Sequence, residues 1–254
     1  MRITFLGTGT SHGVPMIGCG CATCVSPDPR DTRLRPSIYV ETPGARVLVD
    51  AGPDLRAQAL RHQIARVDAI LFTHGHADHI LGMDDVRRFN ALMRAAMPCH
   101  GDAATLDDIR RMFGYVFDPA APQGGGLPQL DLIPIDGPFA IGDLDVIPVP
   151  VDHGARPILG FRFDRFAYLT DCSRIPDASW ALLEGLAVLV LDALRIRPHP
   201  THFSLDEAIA TAARIGAGRT FFTHMCHDLQ HAATDARLPA GMALAYDGLV
   251  LQLP

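Results

Sequence analysis

Ile70-Leu-Phe-Thr-His-Gly-His-Ala-Asp-His-Ile-Leu81 is the stretch on which the reading of this chain turns. The apolar run from Ala69 to Phe72 has the composition of a buried strand. It stops at Thr73, and His74, His76, Asp78 and His79 follow within six residues before Ile80 and Leu81 start a helical pattern. A tight loop between a strand tip and a helix can bring such side chains into one small volume. Neutral imidazoles suit zinc or manganese, and a carboxylate adds charge for a second divalent ion. A solvated polar loop is the plain alternative, but H-x-H-x-D-H at a strand exit rarely arises by chance.

Working outward, other strand ends carry the same residue types. Asp143 to Val151 reads as a strand that delivers His153 onto the turn Asp152-His153-Gly154. Alone His153 would be ordinary; beside the first cluster it becomes a third imidazole for one ion. A hairpin over about 158–163 and 166–169 is followed by Thr170-Asp171-Cys172-Ser173, which places Asp171 to bridge two metals, with Cys172 a packed thiol. The strand Arg219 to Phe222 ends in Thr223-His224-Met225-Cys226-His227, repeating the earlier Phe-Thr-His, and His224 is the natural last ligand of a second ion. Strands at about 37–42 and 46–50 meet at a Pro43-Gly44 turn. The second ends at Asp50, which could hydrogen-bond a ligating histidine or simply cap the turn.

A separate thiol cluster, Cys19-Gly-Cys-Ala-Thr-Cys24, has C-x-C-x-x-C spacing. Three thiolates from one short loop leave one position open in a tetrahedral zinc site. His227 can supply it, with Cys226 and the more distant His231 as rivals. Clustered cysteines in a chain without an export signal more often bind metal than form disulfides.

The remaining segments frame these clusters. A first strand over 2–6 leads into a glycine-rich loop from Gly7 to Pro15, either a plain tight loop or one lining an active site. Arg30, Arg33 and Arg35 could meet a phosphate, though salt-bridging of their own loop is the simpler role. Helices are expected at about 54–64, 83–96 and 102–113, and the order β-β-α-β puts the histidine loop at one edge of a sheet. The Pro-, Gly- and Gln-rich stretch 118–130 reads as a mobile loop. Leu186 to Asp192 reads as a buried strand. A helix over about 204–215 opens with Ser204 as cap and Glu207 at the capping-box position, so His202 stands just before a helix N-terminus. His199, between two prolines, is a weaker candidate. Ala243–Tyr246 and Leu249–Leu253 are expected to close the chain as a strand pair around Asp247-Gly248.

The 254 residues suit one large domain or two small ones, and 48% hydrophobic content supports a sizeable core. The net charge of −6 argues against a surface built for long nucleic acid. Met1 to Gly7 passes into a strand without a secretory segment, and no apolar run is long enough to span a bilayer. These features place the protein in the cytoplasm.

The ligand order, together with Leu6-Gly-Thr-Gly-Thr-Ser11, Tyr246-Asp-Gly-Leu249 and the Gly18-Cys-Gly-Cys-x-x-Cys24 insertion, resembles the metallo-β-lactamase superfamily, and within it the PhnP-like phosphodiesterase branch related to tRNase Z. The resemblance covers nearly the whole chain. It implies an α/β (α+β) fold, one αββα sandwich over 1–254 with a structural zinc loop at about 17–27. One ion would take His74, His76, His153 and Asp171, and the second Asp78, His79, Asp171 and His224, the two being zinc or manganese. Cys19, Cys21, Cys24 and His227 would hold a structural zinc. Asp78 and Asp171 would serve catalysis as well as ligation, and His202 falls at the place of a catalytic histidine.

The activity implied is metal-dependent hydrolysis of small, perhaps ribosyl cyclic, phosphodiesters by a metal-bridging hydroxide. A tRNase Z-like nuclease, a thioester or lactone hydrolase, and a non-enzymatic nucleotide-binding sensor are the alternatives. A small phosphodiester is the expected partner, no membrane is, and a homodimer is open.

Overall fold

The computed structural model describes residues 1–118, 120 and 126–254. Strands and helices are numbered in chain order. One seven-stranded sheet runs β14 (Val250–Gln252), β1 (Arg2–Gly7), β2 (Ser37–Glu41), β3 (Arg46–Val49), β4 (Ala69–Leu71), β5 (Met97–Gly101), β6 (Leu130–Pro134). The other, also seven-stranded, runs β13 (Met242–Leu244), β12 (Arg219–Thr223), β11 (Val188–Asp192), β10 (Phe166–Leu169), β9 (Arg156–Phe163), β8 (Leu144–His153), β7 (Phe139–Ile141).

Side chains on a strand alternate between its faces, and here both faces are apolar. Val47, Val49 and Leu71 of the first sheet meet Val188, Val190, Phe161 and Tyr168 of the second, forming the layer between the sheets. Their neighbours point outward. Leu48 and Ile70 pack under α1 (Leu55–Arg61), α2 (Ala77–Ile80), α3 (Val86–Met93) and α4 (Ala103–Met112) through Leu55, Ile80, Phe89 and Ile109. A short α5 (Gly114–Phe117) follows α4. Leu189 and Leu191 pack under α6 (Leu205–Ile215) through Ala208 and Ala212, and α7 (His231–Asp235) precedes β13. The result is the αββα sandwich. Among the described residues, no helix is long and apolar enough to cross a membrane.

Each sheet has a parallel half: β3, β4, β5 and β6 in one, β10, β11, β12 and β13 in the other. Parallel strands bring their C-terminal ends to one rim, and ligands of open α/β sheets gather at such rims. Asp50, Thr73-His74, Asp171, Asp192 and His224 all stand at or just after these ends.

Several expectations need correction. The histidine loop is not at a lateral edge, because β4 lies between β3 and β5; it leaves the C-terminal end of an interior strand. β5 sits in what reads as a connection between two helices, since Pro98 and Gly101 interrupt any apolar pattern, yet it pairs with both β4 and β6. The expected helix over 83–96 is a 3₁₀ turn (Met83–Asp85) followed by α3. The last two strands are not a pair: β13 joins β12 and β14 joins β1 in the opposite sheet. The chain changes sheets at Asp247-Gly248, where Gly248 has φ 94° and the Asp247 carboxylate accepts from Thr8 Oγ1 and Leu34 N, each at 2.8 Å. Of the expected mobile stretch 118–130, residues 119 and 121–125 lie outside the described residues.

The capping box that starts α6 is present. Ser204 N donates to Glu207 Oε2 at 2.8 Å and Glu207 N donates to Ser204 Oγ at 3.4 Å. This fixes the turn that carries His202. Ser204→Ala should cost about 1 kcal/mol of unfolding free energy, the usual worth of a cap, read as a lower urea midpoint with unchanged slope. A wild-type midpoint would show that packing alone holds this helix start.

Candidate metal centres

His74, His76 and His153 place their ring nitrogens within 4.8 Å of one another. His74 and His76 come from the loop after β4, and His153 ends β8 in the facing sheet. Asp78, His79, Asp171 and His224 form a second group under the same 4.8 Å limit. Asp171 joins the two. Its Oδ1 lies 3.8 Å from His74 Nε2, while Oδ2 lies 3.3 Å from both His79 Nε2 and His224 Nε2. One oxygen therefore faces each group.

The Nε2 atoms of His74, His79 and His224 are buried with no hydrogen-bond partner. Leaving such polar atoms unpaired is costly, and divalent ions at the two groups would satisfy them. The residues present thus fit two ions.

The far sides of the rings are tied down. His79 Nδ1 and Asp50 Oδ2 are 2.8 Å apart, and Asp50 Oδ1 also accepts from Thr73 N at 2.9 Å. His153 Nδ1 donates to the Thr201 carbonyl at 2.8 Å. Such partners set the tautomer and aim the other nitrogen at the ion. Asp50, Asp171 and His224 have φ of 62°, 55° and 60° at their strand ends. The left-handed region costs a non-glycine residue energy, and it turns each side chain into the cluster.

The electrostatics reflect three carboxylates drawn into a dry volume. Burial pushes Asp171 up, but His224 and His79 outweigh it and hold the carboxyl well below its usual range. Burial opposes charge on His79, yet Asp171, Asp78 and Asp50 raise it well above the ordinary imidazole value. His224 is raised on the same balance, by Asp171 and Asp78 against its burial. His74 goes the other way, since burial and then the charge of His79 drive it well down. The pocket therefore calls for positive charge at its centre.

Asp192, which ends the buried strand β11, was given no role by the sequence, yet it organises the third side of the site. Its Oδ1 lies 3.2 Å from His202 Nδ1, and its Oδ2 accepts from Phe203 N at 3.0 Å. Burial drives this carboxyl well above its usual range. His202 is brought to the cluster: its ring lies 4.6 Å from that of His153 and stacks on that of His224 at 4.8 Å. Burial, helped by His224, pushes its pKa down to about 4. The available signal was an Asp closing an apolar strand, the same signal that drew attention to Asp50.

The thiol cluster also assembles. Cys19, Cys21 and Cys24 Sγ lie 3.2, 3.5 and 3.6 Å from His227 Nδ1. Tetrahedral zinc with ordinary bond lengths separates sulfur and nitrogen ligands by about 3.6 Å, so the set fits that ion. Cys24 is raised to about 11 by burial, while the Cys24 backbone N–H lowers Cys21 to about 7. Neither rival of His227 joins: Cys226 lies outside the cluster, and His231 is buried elsewhere, its backbone N–H bonded to Asp31.

The arginines of the 26–36 loop turn out to be structural. Arg30 closes on Asp28 and Arg35 on Asp54. Arg33 is buried and donates to the carbonyls of Cys226 and Leu229, clamping the segment that carries His224 and His227. The glycine-rich loop pairs with that segment through Thr10 N to the Met225 carbonyl at 3.1 Å and Met225 N to the Thr8 carbonyl at 3.0 Å. Thr10, Ser11, His12 and Gly13 then line a cleft that ends at His199 and His202, so this is a site-lining loop.

Comparison with known proteins places this architecture. The family described as "Beta-lactamase superfamily domain" matches residues 45–225, and the chain belongs to it. It is similar to a solved structure described as a new diphosphatase from the PhnP family, at TM-score 0.92 and 48% identity over 99% of this chain and 97% of that one. Human tRNase Z, short form, has the same fold at TM-score 0.71 and 20% identity, covering 100% of both chains. Among curated proteins, an octanoyltransferase of Porphyromonas gingivalis is 37% identical over 98% of this chain. The chain spans only 51% of that protein's length.

Purified protein carrying Cys21→Ser should contain one zinc fewer per chain than wild type, by elemental analysis, and should melt at a lower temperature. Unchanged zinc content and melting temperature would mean that the thiols hold no ion.

Proposed function

We propose that this member of the β-lactamase superfamily is a metal-dependent hydrolase of small phosphodiesters, ribosyl cyclic phosphodiesters among them. The observation that carries the reading is Asp171, with one carboxylate oxygen turned to each of two groups of buried, unpaired imidazoles. His74, His76 and His153 would hold one ion, Asp78, His79 and His224 the other, and Asp171 both. Zinc and manganese suit this mix of imidazole and carboxylate. When bound, such ions neutralise phosphoryl oxygens and bring the pKa of water towards neutrality.

The chain's own residues do the rest. Asp50 and the Thr201 carbonyl hold His79 and His153 in register, so little reorganisation is needed as charge develops. His202 keeps Nδ1 on Asp192, which leaves Nε2 to face the substrate. Burial keeps the free imidazole neutral, and an arriving phosphate would raise its pKa, loading Nε2 with a proton. That proton can then pass to the departing alkoxide oxygen. The buried walls around His74 and His224 exclude bulk water from these contacts.

Similarity to a PhnP-family diphosphatase supports phosphorus chemistry over the thioester and lactone alternatives. The acidic net charge of −6 supports a small substrate over tRNA. The three clustered thiols, which bind metal only when reduced, support a cytoplasmic setting.

Asp171→Ala should lower kcat/KM for bis(p-nitrophenyl) phosphate to background and reduce the metal held per chain. Wild-type turnover by this variant would contradict the shared-carboxylate reading. His202→Ala should keep the metal content and lose about 10²-fold in kcat. An equal loss of metal would instead make His202 a ligand.

A further inference from the structure

The hairpin of β8 and β9 carries His153 at its tip and is tied to its own sheet. Gly154 N donates to Ser173 Oγ at 2.9 Å, and Asp152 N donates to the Arg174 carbonyl at 2.9 Å. His74 and His76 belong to the facing sheet, so their distance from His153 depends on what spans the two halves. Among the described residues, two polar ties run from this hairpin to the other half. Leu159 N donates to the Thr73 carbonyl at 3.0 Å, one residue before His74. Arg156 Nη2 donates to Asp108 Oδ2 on α4 at 2.9 Å.

Both ends of the second tie are anchored next to ligand candidates. Arg156 is the residue paired with His153 across the hairpin. Asp108 sits on a helix held by buried Leu106 and Ile109 and capped by Asp102, which accepts from Thr105 N at 2.7 Å. The same aspartate rests on Gly75, the residue between His74 and His76. A methyl group at Gly75 would meet Asp108 Cβ at 2.7 Å and its carboxylate closer still, so only glycine permits this approach. The carboxylate holds one guanidinium on each oxygen, Arg156 on Oδ2 and Arg111 on Oδ1 at 2.6 Å. Arg111 lies on the same helix as Asp108, and its side chain is 73% exposed against 33% for Arg156. Of the two, Arg156 alone joins the halves.

Resting on the two-ion reading above, we propose that Asp108 and Arg156 are positioning residues for the first ion: their ion pair latches the turn that carries His153 onto the backbone that carries His74 and His76, and so sets the opening of that three-imidazole group. A partly exposed ion pair adds little to global stability. Metal affinity is more demanding, because the ligand nitrogens must converge at about 2.0–2.1 Å from one centre. The second group, with Asp78, His79, Asp171 and His224, has no member on this hairpin and does not depend on the latch.

The test titrates zinc back into the metal-free full chain against a chromogenic chelator, in two backgrounds that share the thiol site. Asp78→Ala breaks the second group and leaves the first; His76→Ala does the reverse. Arg156→Met should weaken active-site zinc binding about tenfold in the Asp78→Ala background and leave it within about twofold in the His76→Ala background. The melting temperature of the metal-free protein should fall by no more than about 3 °C. Asp108→Ala should match Arg156→Met, and the two together should cost no more than either alone, as expected of groups acting as a pair. Arg156→Lys should recover part of the affinity, since it keeps the charge and loses the fork. Arg111→Met, which touches the same carboxylate without joining the halves, should change nothing. Unweakened zinc binding in Arg156→Met overturns the proposal, as does equal weakening in both backgrounds or an equal effect of Arg111→Met. Zinc uptake by the thiol site alone in the wild-type chain would sink the two-ion reading and this proposal with it. Two active-site ions held equally by wild type and Arg156→Met would sink this proposal and leave that reading standing.

Discussion

Everything in this molecule converges on the two oxygens of Asp171. A carboxylate at the tip of an interior strand, buried and held at positive φ, can exist in a dry volume only if positive charge surrounds it. Two sheets supply that surrounding from opposite sides. The first brings His74, His76, Asp78 and His79 on one loop, and the second brings His153 and His224 on the tips of β8 and β12. The sandwich is what makes the meeting possible, because its apolar middle layer lets the parallel halves of both sheets end on one rim. Neither half of the chain could build the cluster alone.

Outside that cluster lies a layer of supports that hold the candidate ligands in place. Asp50 aims His79, the Thr201 carbonyl aims His153, and Asp192 steadies His202. The segment from His224 to His227 serves both candidate metal centres, with His224 facing Asp171 and His227 facing three thiols three residues later. Arg33 grips its carbonyls from below and the glycine-rich loop pairs with it from the side. The proposed zinc of the thiol loop would thus brace the last active-site ligand and the wall of the cleft together. That connection would give a physical reason for a proposed metal site that takes no part in the chemistry.

Local patterns carried much of this in the sequence. H-x-H-x-D-H after an apolar run, the C-x-C-x-x-C spacing and the Ser204–Glu207 capping box are decided by neighbours; the capping box forms as read, and the histidine and thiol groups come together in space. The candidate ligands that depend on distant partners, His153, Asp171 and His224, could be picked out because each closes a strand with a polar residue where the pattern turns, and the structure brings them together. What escaped was set by tertiary context. β5 has no apolar period of its own and becomes a strand because β4 and β6 offer it hydrogen bonds on both sides. The final two strands look like a hairpin until the buried Asp247 carboxylate is seen to anchor a crossing between sheets. Asp192 stayed hidden because its partners, His202 and Phe203, lie ten and eleven residues on, across an irregular loop. The arginines of the 26–36 loop could not be sorted into substrate binders and braces without knowing which backbone carbonyls lay beneath them.

The central claim is that two cations share Asp171, and anomalous scattering from crystals of the metal-loaded protein, collected at the zinc and manganese edges, tests it most directly. The account predicts two peaks about 3.5–4 Å apart, one near His74, His76 and His153, the other near Asp78, His79 and His224, with Asp171 between them, and a third peak at Cys19, Cys21, Cys24 and His227. A single peak in the active site, or two peaks with Asp171 bound to only one of them, would contradict it.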